Sequence, residues 1–312
     1  MSENFHIEGS SYTCIKQGEG NAGDVSLFVW RKQCQSKLDP SRPPVLLVHG
    51  SSMSALPTYD LNVPGIPDYS FMDWLALQGF DVWTLDHEGY GRSTITQNNS
   101  DIACGAKDLE VVSDFILSKT QHKALNIYGM SSGALRSALF AVNFPERVAK
   151  LVLDGFVWTG EGSPTLSKRK EGAASFKESS RRPINHEFIS NIFTRDKPGT
   201  TDPAVASACA TAQLSYGSSV PTGSYLDMTT NLPLIDPQKL KSSTLIIRGE
   251  HDGIATVLDQ LSFFEKINST CKQFSILPNL AHVTPLGIHR NLLWNAVNNF
   301  FESASSSIKV IS

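Results

Sequence analysis

Short apolar runs alternate along the chain with segments in which apolar residues recur at helical spacing. Residues Val45–Val48 form a continuous apolar run, and residues 80–85 and 125–128 are mainly apolar; all three stretches have the length of strands that are buried on both faces. Phe71–Leu77 and residues 134–142 instead have the spacing of amphipathic helices. Strands that alternate with helices predict an α/β fold, with a mostly parallel central sheet and helices on both faces.

The same alternation continues on either side of these segments. Near the start, residues 12–16 and 26–31 predict an antiparallel hairpin that turns between residues 18 and 23. Further strands are predicted at residues 151–153, 244–247 and 273–277, and further helices at residues 106–118, 257–267 and 291–301.

Residues 156–237 interrupt this alternation. They are rich in serine, threonine, proline and charged residues, and their prolines break long elements. Residues 183–194 and 204–215 are the clearest helix candidates in this stretch. The pattern predicts a core formed by residues 1–155 and 238–312 and an inserted, largely helical cap formed by residues 156–237.

Composition favours a globular protein with a small-molecule partner. The chain has 312 residues, of which 40% are hydrophobic, so it can bury a full core. Its 27 basic and 30 acidic residues give a formal net charge of -3, which provides no basic field for nucleic acid. No apolar run approaches the roughly 20 residues that span a bilayer, so no membrane partner is expected.

The cysteines and the N-terminal residues indicate a cytoplasmic protein. Five cysteines without C-x-x-C pairing cannot form a complete disulfide framework, and residues 1–6 lack the pattern of a secretory signal.

No cofactor is predicted from the sequence motifs. The glycines at 89 and 91 do not complete a G-x-G-x-x-G motif, because position 94 is Thr94. No histidine, cysteine or glutamate cluster has metal-ligand spacing, so neither a dinucleotide nor a metal is predicted.

The segment Gly129-Met130-Ser131-Ser132-Gly133 is the strongest chemical signal in the sequence. A serine at the apex of a sharp strand-to-helix turn is strained and exposed, and only small neighbours let the two flanking backbones approach. The free N–H groups of the following helix point towards whatever is attached to such a serine. Ser131 is therefore the candidate nucleophile.

A serine nucleophile needs a base, usually a histidine oriented by a carboxylate. Asp252 and His282 follow the last two predicted strands, so the chain order is Ser131, Asp252, His282. Two other interpretations stay open at this point. Asp252 could cap the helix after it, with Asp154 as the acid, and Ser131 could be an elbow serine without chemistry.

Five motifs in order resemble those of the α/β-hydrolase superfamily. Residues 48–52 look like its oxyanion loop, residues 85–93 resemble its D-x-x-G-x-G-x-S turn, and residues 129–133 match its nucleophile elbow. Residues 249–252 are similar to its G-x-x-D acid loop, and His282 falls where the family places its base. The resemblance covers residues 44 to 302 except the cap.

The resemblance implies roles for individual residues. Ser131 would attack a carbonyl carbon, His282 would accept and return the proton, and Asp252 would orient His282. The backbone N–H groups of Ser51 and Ser132 would hold the oxyanion. His49 would be structural and lie under the oxyanion loop.

The cap would supply much of the substrate pocket in such a protein. The predicted pocket residues are Met130, Trp158, Phe188 and Tyr216. The basic residues Lys168, Arg169, Lys170, Arg181 and Arg182 have two open interpretations, recognition of an anionic substrate group or a solvated surface.

The favoured function is a serine carboxylesterase that cleaves a small, largely apolar ester through an acyl-enzyme. Three alternatives use the same triad, namely hydrolysis of a carbon–carbon bond, hydrolysis of a lactone, or a biosynthetic acyl transfer or rearrangement. A non-enzymatic ligand receptor on the same scaffold is a further alternative, and the sequence leaves the oligomeric state open.

Overall fold

A central sheet with helices on its two faces makes up most of the molecule. The computed structural model describes residues 5–18, 23–269 and 271–303. The strands are β1 (Glu8–Lys16), β2 (Val25–Gln33), β3 (Val45–Val48), β4 (Val82–Leu85), β5 (Leu125–Met130), β6 (Val148–Asp154), β7 (Arg181–Pro183), β8 (Ser219–Pro221), β9 (Ser243–Gly249) and β10 (Lys272–Leu277). The helices are α1 (Ala55–Tyr59), α2 (Phe71–Leu77), α3 (Ile102–Thr120), α4 (Ser132–Asn143), α5 (Pro164–Lys170), α6 (Ala173–Glu178), α7 (His186–Ile192), α8 (Pro203–Leu214), α9 (Gly223–Leu226), α10 (Val257–Lys266) and α11 (Arg290–Glu302).

The large sheet has the strand order β1-β2-β4-β3-β5-β6-β9-β10. The pairs β1–β2 and β2–β4 are antiparallel, and every later pair is parallel. This confirms the predicted α/β fold and the predicted hairpin, although residues 19–22 of its turn lie outside the described residues. The carboxyl ends of β3, β5, β6, β9 and β10 therefore meet at one edge of the sheet, where the site residues follow them.

Alternate residues of each buried strand feed two separate hydrophobic clusters. In β3, Val45 and Leu47 join the cluster that includes α2 and α11, whereas Leu46 and Val48 join the cluster that includes α3, α4 and α10. This alternation follows from the two-residue repeat of a strand. The sheet is therefore covered on both faces, as a parallel sheet requires.

Helix α3 begins four residues before the predicted segment 106–118 and ends two residues after it. The Asp101 carboxylate accepts a hydrogen bond from the N–H of Cys104 at 2.7 Å and starts the helix, and Gln121 ends it in a left-handed conformation with φ 60°. Across the described residues, no helix combines the length and apolarity needed to cross a membrane.

Residues 156–237, which we call the insertion, lie between β6 and β9. They contain α5 to α9 and a two-stranded antiparallel ribbon formed by β7 and β8. The ribbon was not predicted, because each strand has three residues and carries a proline, Pro183 or Pro221. Helix α7 falls within the predicted segment 183–194 but is shorter, and helix α8 has the length of the predicted segment 204–215 but begins and ends one residue earlier.

Candidate active site

Ser131 stands at the junction between β5 and α4 in a strained backbone conformation. Its φ of 58° and ψ of -124° are rare for any residue other than glycine. The N–H of Ser131 donates a hydrogen bond of 2.8 Å to the carbonyl oxygen of Asp154 on the neighbouring strand. The sheet therefore holds the turn in a geometry that costs on the order of 1–3 kcal/mol locally.

The glycines that flank Ser131 are required by close backbone contacts. A Cβ on Gly129 would lie 2.5 Å from the carbonyl oxygen of Gly133, and a Cβ on Gly133 would lie 2.2 Å from the carbonyl oxygen of Val48. Both distances are shorter than atoms tolerate, and the obstacles are rigid backbone. The steric reason for the G-x-S-x-G spacing is thus present in this molecule.

Asp252 and His282 are joined by a hydrogen bond between the loops that follow β9 and β10. The distance between His282 Nδ1 and Asp252 Oδ2 is 2.8 Å, and both side chains are buried. Backbone bonds tie the two loops together, since the N–H of His251 donates to the carbonyl of Leu280 at 2.9 Å. With Nδ1 donating to the carboxylate, Nε2 of His282 is the nitrogen free to accept a proton.

The surroundings of Asp252 keep its carboxylate ionised. Burial raises the pKa of Asp252, but the charge of His282, its hydrogen bond and the N–H groups of Ile254 and Ala255 together lower it below its ordinary value. These two N–H groups donate to Oδ1 at 2.8 and 3.1 Å, while Oδ2 faces the imidazole. An ionised carboxylate in this position orients His282 and stabilises its protonated form.

Asp154, the alternative acid, lies at the end of β6 and bonds to hydroxyl groups instead of an imidazole. Its Oδ2 accepts hydrogen bonds from Tyr128 Oη at 2.5 Å and from Thr284 Oγ1. Burial raises the pKa of Asp154 to about 7, although both hydroxyl groups act to lower it. The geometry therefore favours Asp252 over Asp154 as the partner of His282.

The two predicted oxyanion residues are brought together at the edge of the sheet. Ser51 Oγ donates a hydrogen bond of 2.8 Å to Ser132 Oγ, and Ser224 Oγ in the insertion donates to Ser51 Oγ at 2.8 Å. The carbonyl of Ser51 accepts hydrogen bonds from Tyr90 Oη and from Arg182 Nη2, each at 3.1 Å. Side chains from both the core and the insertion thus fix the position of this loop.

Ser131 and His282 line one cavity together with residues of the insertion. The cavity has a volume of about 30 Å³, enough for roughly two water molecules. Met130, a predicted pocket residue, lines it. The full lining consists of Gly50, Ser51, Ser52, Met53, Met130, Ser131, Arg169, Ile192, Arg195, Tyr225, Ile254, His282 and Val283.

The other three predicted pocket residues lie away from this cavity. Trp158 donates its indole N–H to the carbonyl of Ile235 at 3.1 Å, within the packing of the insertion against the core. Phe188 packs against the hydrophobic cluster on the α2 face, and the Tyr216 ring lies 5.5 Å from the Arg92 guanidinium carbon. These three aromatic side chains therefore contribute to packing and do not line the cavity.

Two cavity residues with charged side chains were not identified as pocket residues from the sequence. Arg169 was recognised only as part of a basic run, which did not separate it from its exposed neighbours Lys168 and Lys170. Arg195 belongs to no motif and gave no signal. Only the packing of the insertion onto the core shows that both arginines face the cavity that contains Ser131.

The other histidines near the motifs have different partners. His49 is buried, donates from Nδ1 to the carbonyl of Gly50 at 2.8 Å and accepts at Nε2 from the N–H of His87 at 3.1 Å. His87 Nδ1 lies 3.0 Å from Asp108 Oδ2. Both rings stabilise the loops beneath the cavity, which agrees with the structural role expected for His49.

Folding brings together one set of groups that the spacing in sequence did not reveal. Ligand atoms of Glu88, Cys104 and Asp108 lie within 4.8 Å of one another. The Lys16 ammonium lies 2.6 Å from Glu88 Oε2 and also contacts Asp108, so the chain supplies its own counter-charge. Burial and the Asp108 charge raise the pKa of Cys104 to about 12. The group is a buried ion-pair cluster.

A family model described as serine aminopeptidase, S33, matches residues 68–286, a stretch that includes Ser131, Asp252 and His282. The chain belongs to this α/β-hydrolase family. The superfamily expected from the sequence is thereby confirmed, and the subfamily is not identified.

Curated relatives match this α/β-hydrolase over part of its length. A 2-hydroxy-6-oxononadienedioate/2-hydroxy-6-oxononatrienedioate hydrolase from Escherichia coli O81 (strain ED1a) is 32% identical over 162 residues, which is 51% of this chain and 52% of the relative. The protein of the same name from Escherichia coli (strain K12 / DH10B) is 30% identical over 162 residues, with the same coverage. The matched region spans about half the length of these relatives.

Solved structures show the same fold over nearly the whole chain. A thermophilic esterase from Thermogutta terrifontis has a TM-score of 0.69 at 19% identity and covers 93% of this chain and 97% of its own. The 2-hydroxy-6-oxo-6-phenylhexa-2,4-dienoate hydrolase from Rhodococcus sp. strain RHA1 has a TM-score of 0.66 at 17% identity and covers 96% of this chain and 100% of its own. At these identities the likeness concerns the fold alone.

Proposed function

We propose that Ser131, His282 and Asp252 form a catalytic triad and that this α/β-hydrolase cleaves a carboxylic ester through an acyl-enzyme. The carrying observation is that a serine at a strained elbow shares a cavity with a histidine whose Nδ1 is bound to a buried carboxylate. A nucleophile, a base and an orienting acid are the three groups that acyl transfer needs.

Acylation begins with attack of Ser131 Oγ on the ester carbonyl carbon. As the new C–O bond forms, the hydroxyl proton passes to His282 Nε2, and the imidazolium is stabilised by Asp252. The tetrahedral oxyanion is held by the backbone N–H groups of Ser51 and Ser132. When the intermediate collapses, the bond to the alcohol oxygen breaks and His282 returns its proton to that oxygen.

Deacylation repeats these steps with water. His282 Nε2 takes a proton from a water molecule, whose oxygen attacks the carbonyl carbon of the acyl-enzyme. Collapse breaks the bond to Ser131 Oγ, which regains a proton from His282, and the carboxylic acid leaves. The same oxyanion donors act in both halves of the cycle, so removal of one typically costs about 3 kcal/mol in each.

The side chains that line the cavity support a small substrate with apolar parts. Because the cavity has a volume of only about 30 Å³, some of these side chains must move to admit an ester. Met53, Met130, Ile192 and Ile254 present apolar side chains beside Ser131. A pocket of this kind binds the hydrocarbon part of an ester, while a few polar groups fix its orientation. The cytoplasmic location and a small molecule as the partner remain predictions of the sequence.

A fluorophosphonate probe and a panel of esters test the proposal. The panel varies the acyl and alcohol chain lengths, and hydrolysis is followed by release of the alcohol. We expect the probe to label Ser131, and we expect Ser131→Ala to abolish both labelling and hydrolysis. Ser118→Ala, a change at an exposed position on α3, is the matched control and should keep both. Turnover by Ser131→Ala at the wild-type rate would rule the triad out.

Cleavage of a carbon–carbon bond is the second candidate, because the curated relatives are named as hydrolases of 2-hydroxy-6-oxo dicarboxylates, compounds that contain no ester bond. In that reaction the leaving group is a carbanion that needs an adjacent carbonyl to accept its electron pair. An ester and a β-diketone of matched size separate the two candidates. Release of product from the ester alone supports an esterase, and release from the diketone supports a carbon–carbon hydrolase.

A further inference from the structure

Arginine side chains of the insertion surround one side of the cavity that contains Ser131. Arg169 and Arg195 line the cavity together with Tyr225. The guanidinium carbons of Arg169 and Arg182 lie 4.2 and 3.9 Å from the centre of the Tyr225 ring. Two guanidinium groups therefore pack on the Tyr225 ring, and a third, that of Arg195, lines the same cavity beside the proposed nucleophile.

These cations are poorly compensated by carboxylates. Arg195 Nε pairs with Asp196 Oδ1 at 3.0 Å. Among the residues that the structure describes, no carboxylate lies within ion-pair distance of Arg169 or Arg182. Arg182 is 8% exposed, and its Nε is buried without a hydrogen-bond partner. Asp196 also acts on Arg169 through its charge, but one carboxylate does not balance three arginines. Buried cations normally have anionic partners, so positive charge is in excess in this part of the cavity.

Tyr225 reports the same excess of positive charge. Burial raises the pKa of the phenol, but Arg169, Arg182, a hydrogen bond with Ser52 and Arg195 lower it to about 7. The Tyr225 hydroxyl lies 3.3 Å from Ser52 Oγ, on the loop that holds the proposed oxyanion donor Ser51. The positive potential thus reaches the wall of the cavity next to the site of attack.

We propose that the substrate of this site carries a carboxylate, which Arg169 and Arg195 bind while Ser131 attacks the carbonyl carbon. The inference rests on the proposed acyl-transfer function and narrows its substrate from a largely apolar ester to an ester with one anionic end. A guanidinium group binds a carboxylate with two parallel hydrogen bonds, which gives orientation as well as affinity. The apolar walls at Met53, Met130 and Ile254 would contact the hydrocarbon part between the two ends.

Two pairs of esters that differ only in charge test the inference. The first pair is the mono-4-nitrophenyl ester of adipic acid and the same ester of adipic acid monoamide, which places the charge on the acyl part. The second pair is 4-acetoxybenzoate and 4-acetoxybenzamide, which places it on the alcohol part. We expect kcat/KM to favour the anionic member of at least one pair by about tenfold or more. Equal or reversed values in both pairs would overturn the inference.

Arginine variants connect that preference to named side chains. Arg169→Met and Arg195→Gln should each reduce the preference for the anionic ester by about tenfold, because each removes a positive charge from the cavity wall. Lys168→Met is the matched control, since Lys168 is exposed on the same helix α5 and does not line the cavity. A preference that is unchanged in both arginine variants would contradict the assignment.

A binding measurement gives an outcome that does not depend on turnover. Adipate should slow the labelling of Ser131 by a neutral fluorophosphonate, whereas adipamide at the same concentration should not. Equal protection by the two compounds, or protection by neither, overturns the carboxylate site while labelling itself upholds the nucleophile. Failure of the probe to label Ser131, together with failure to cleave any ester, overturns the proposed function and this inference with it.

Discussion

The end of β6 and the loop after β9 each bury a carboxylate at the same edge of the sheet, and the two differ in their partners. Asp154 accepts hydrogen bonds from hydroxyl groups, and its second oxygen has no partner among the described residues. Asp252 accepts from two backbone N–H groups and from an imidazole. The first carboxyl has a pKa of about 7, and the second has a pKa below its ordinary value.

Burial alone therefore does not decide the charge of a carboxyl group here. Both groups are buried, and burial raises the pKa of each. At Asp252 the charge and hydrogen bond of His282, together with two backbone N–H groups, outweigh the effect of burial on the pKa. At Asp154 two neutral hydroxyl groups and the charge of His282 lower the pKa but do not outweigh burial. The difference allows one position to support a base and leaves the other close to neutral.

Replacing each carboxyl by an amide should give the largest difference between the two positions, and this difference should appear in kcat. We expect Asp252→Asn to lower kcat by about 10⁴, since the amide cannot stabilise the imidazolium and favours the wrong tautomer of His282. Asp154→Asn should stay within about tenfold of the wild type, because His282 Nδ1 is hydrogen-bonded to Asp252 and not to Asp154. Both are measured on the best ester of the panel. A larger loss in Asp154→Asn than in Asp252→Asn would reverse the assignment of the acid.

The second-largest expected effect is on the pH dependence of the free energy of unfolding, to which Asp154 contributes. Its pKa of about 7 lies above the ordinary 3.8, so between these two pH values the native state binds a proton that the unfolded state has lost, and the native state loses stability as pH rises from about 4 to about 7. Asp154→Asn has no such group. We expect its free energy of unfolding, relative to the wild type, to rise by roughly 2.5 kcal/mol between pH 5 and pH 8.

Urea unfolding at the two pH values measures this difference. Other titrating groups are shared by both proteins, so their contributions cancel in the comparison. A relative stability that is constant with pH would show that Asp154 is ionised throughout this range.

Replacement of Asp252 should have the smallest effect on the free energy of unfolding, and that effect should depend on pH in the opposite direction. Its lowered pKa means that the carboxylate contributes stability above the ordinary carboxyl range and loses that contribution as pH falls through the native pKa. Asp252→Asn should therefore be less stable than the wild type by about 1 kcal/mol at pH 7. The deficit should narrow below about pH 4. A deficit that widens on acidification would contradict an ionised Asp252.

The sequence predicted the sheet and the elbow because both depend on local patterns. Val45–Val48 is apolar at every position, and Gly129 and Gly133 stand at fixed distances from Ser131, so short stretches of sequence carry the information. The order of Ser131, Asp252 and His282 added a second constraint, since each residue follows a strand whose end reaches the same edge.

The pocket could not be predicted in this way, because it depends on how the insertion packs onto the core. Trp158 and Tyr216 are large aromatic residues of the kind that often lines pockets. Their side chains instead contact Ile235 and Arg92, which lie far away in sequence. Arg169 and Arg195 face the cavity only because α5 and the segment after α7 approach the loop at Ser51. Nothing in the local pattern of these arginines distinguishes them from a solvated surface.

The conformation of Ser131 sets fold stability and chemistry against each other at a single residue. With φ at 58° and ψ at -124°, glycine would fit this backbone with less strain, but glycine has no hydroxyl group. Selection for a stable fold alone would therefore favour glycine over the proposed nucleophile. A serine at this position is what the proposed chemistry requires and not what backbone strain alone would favour.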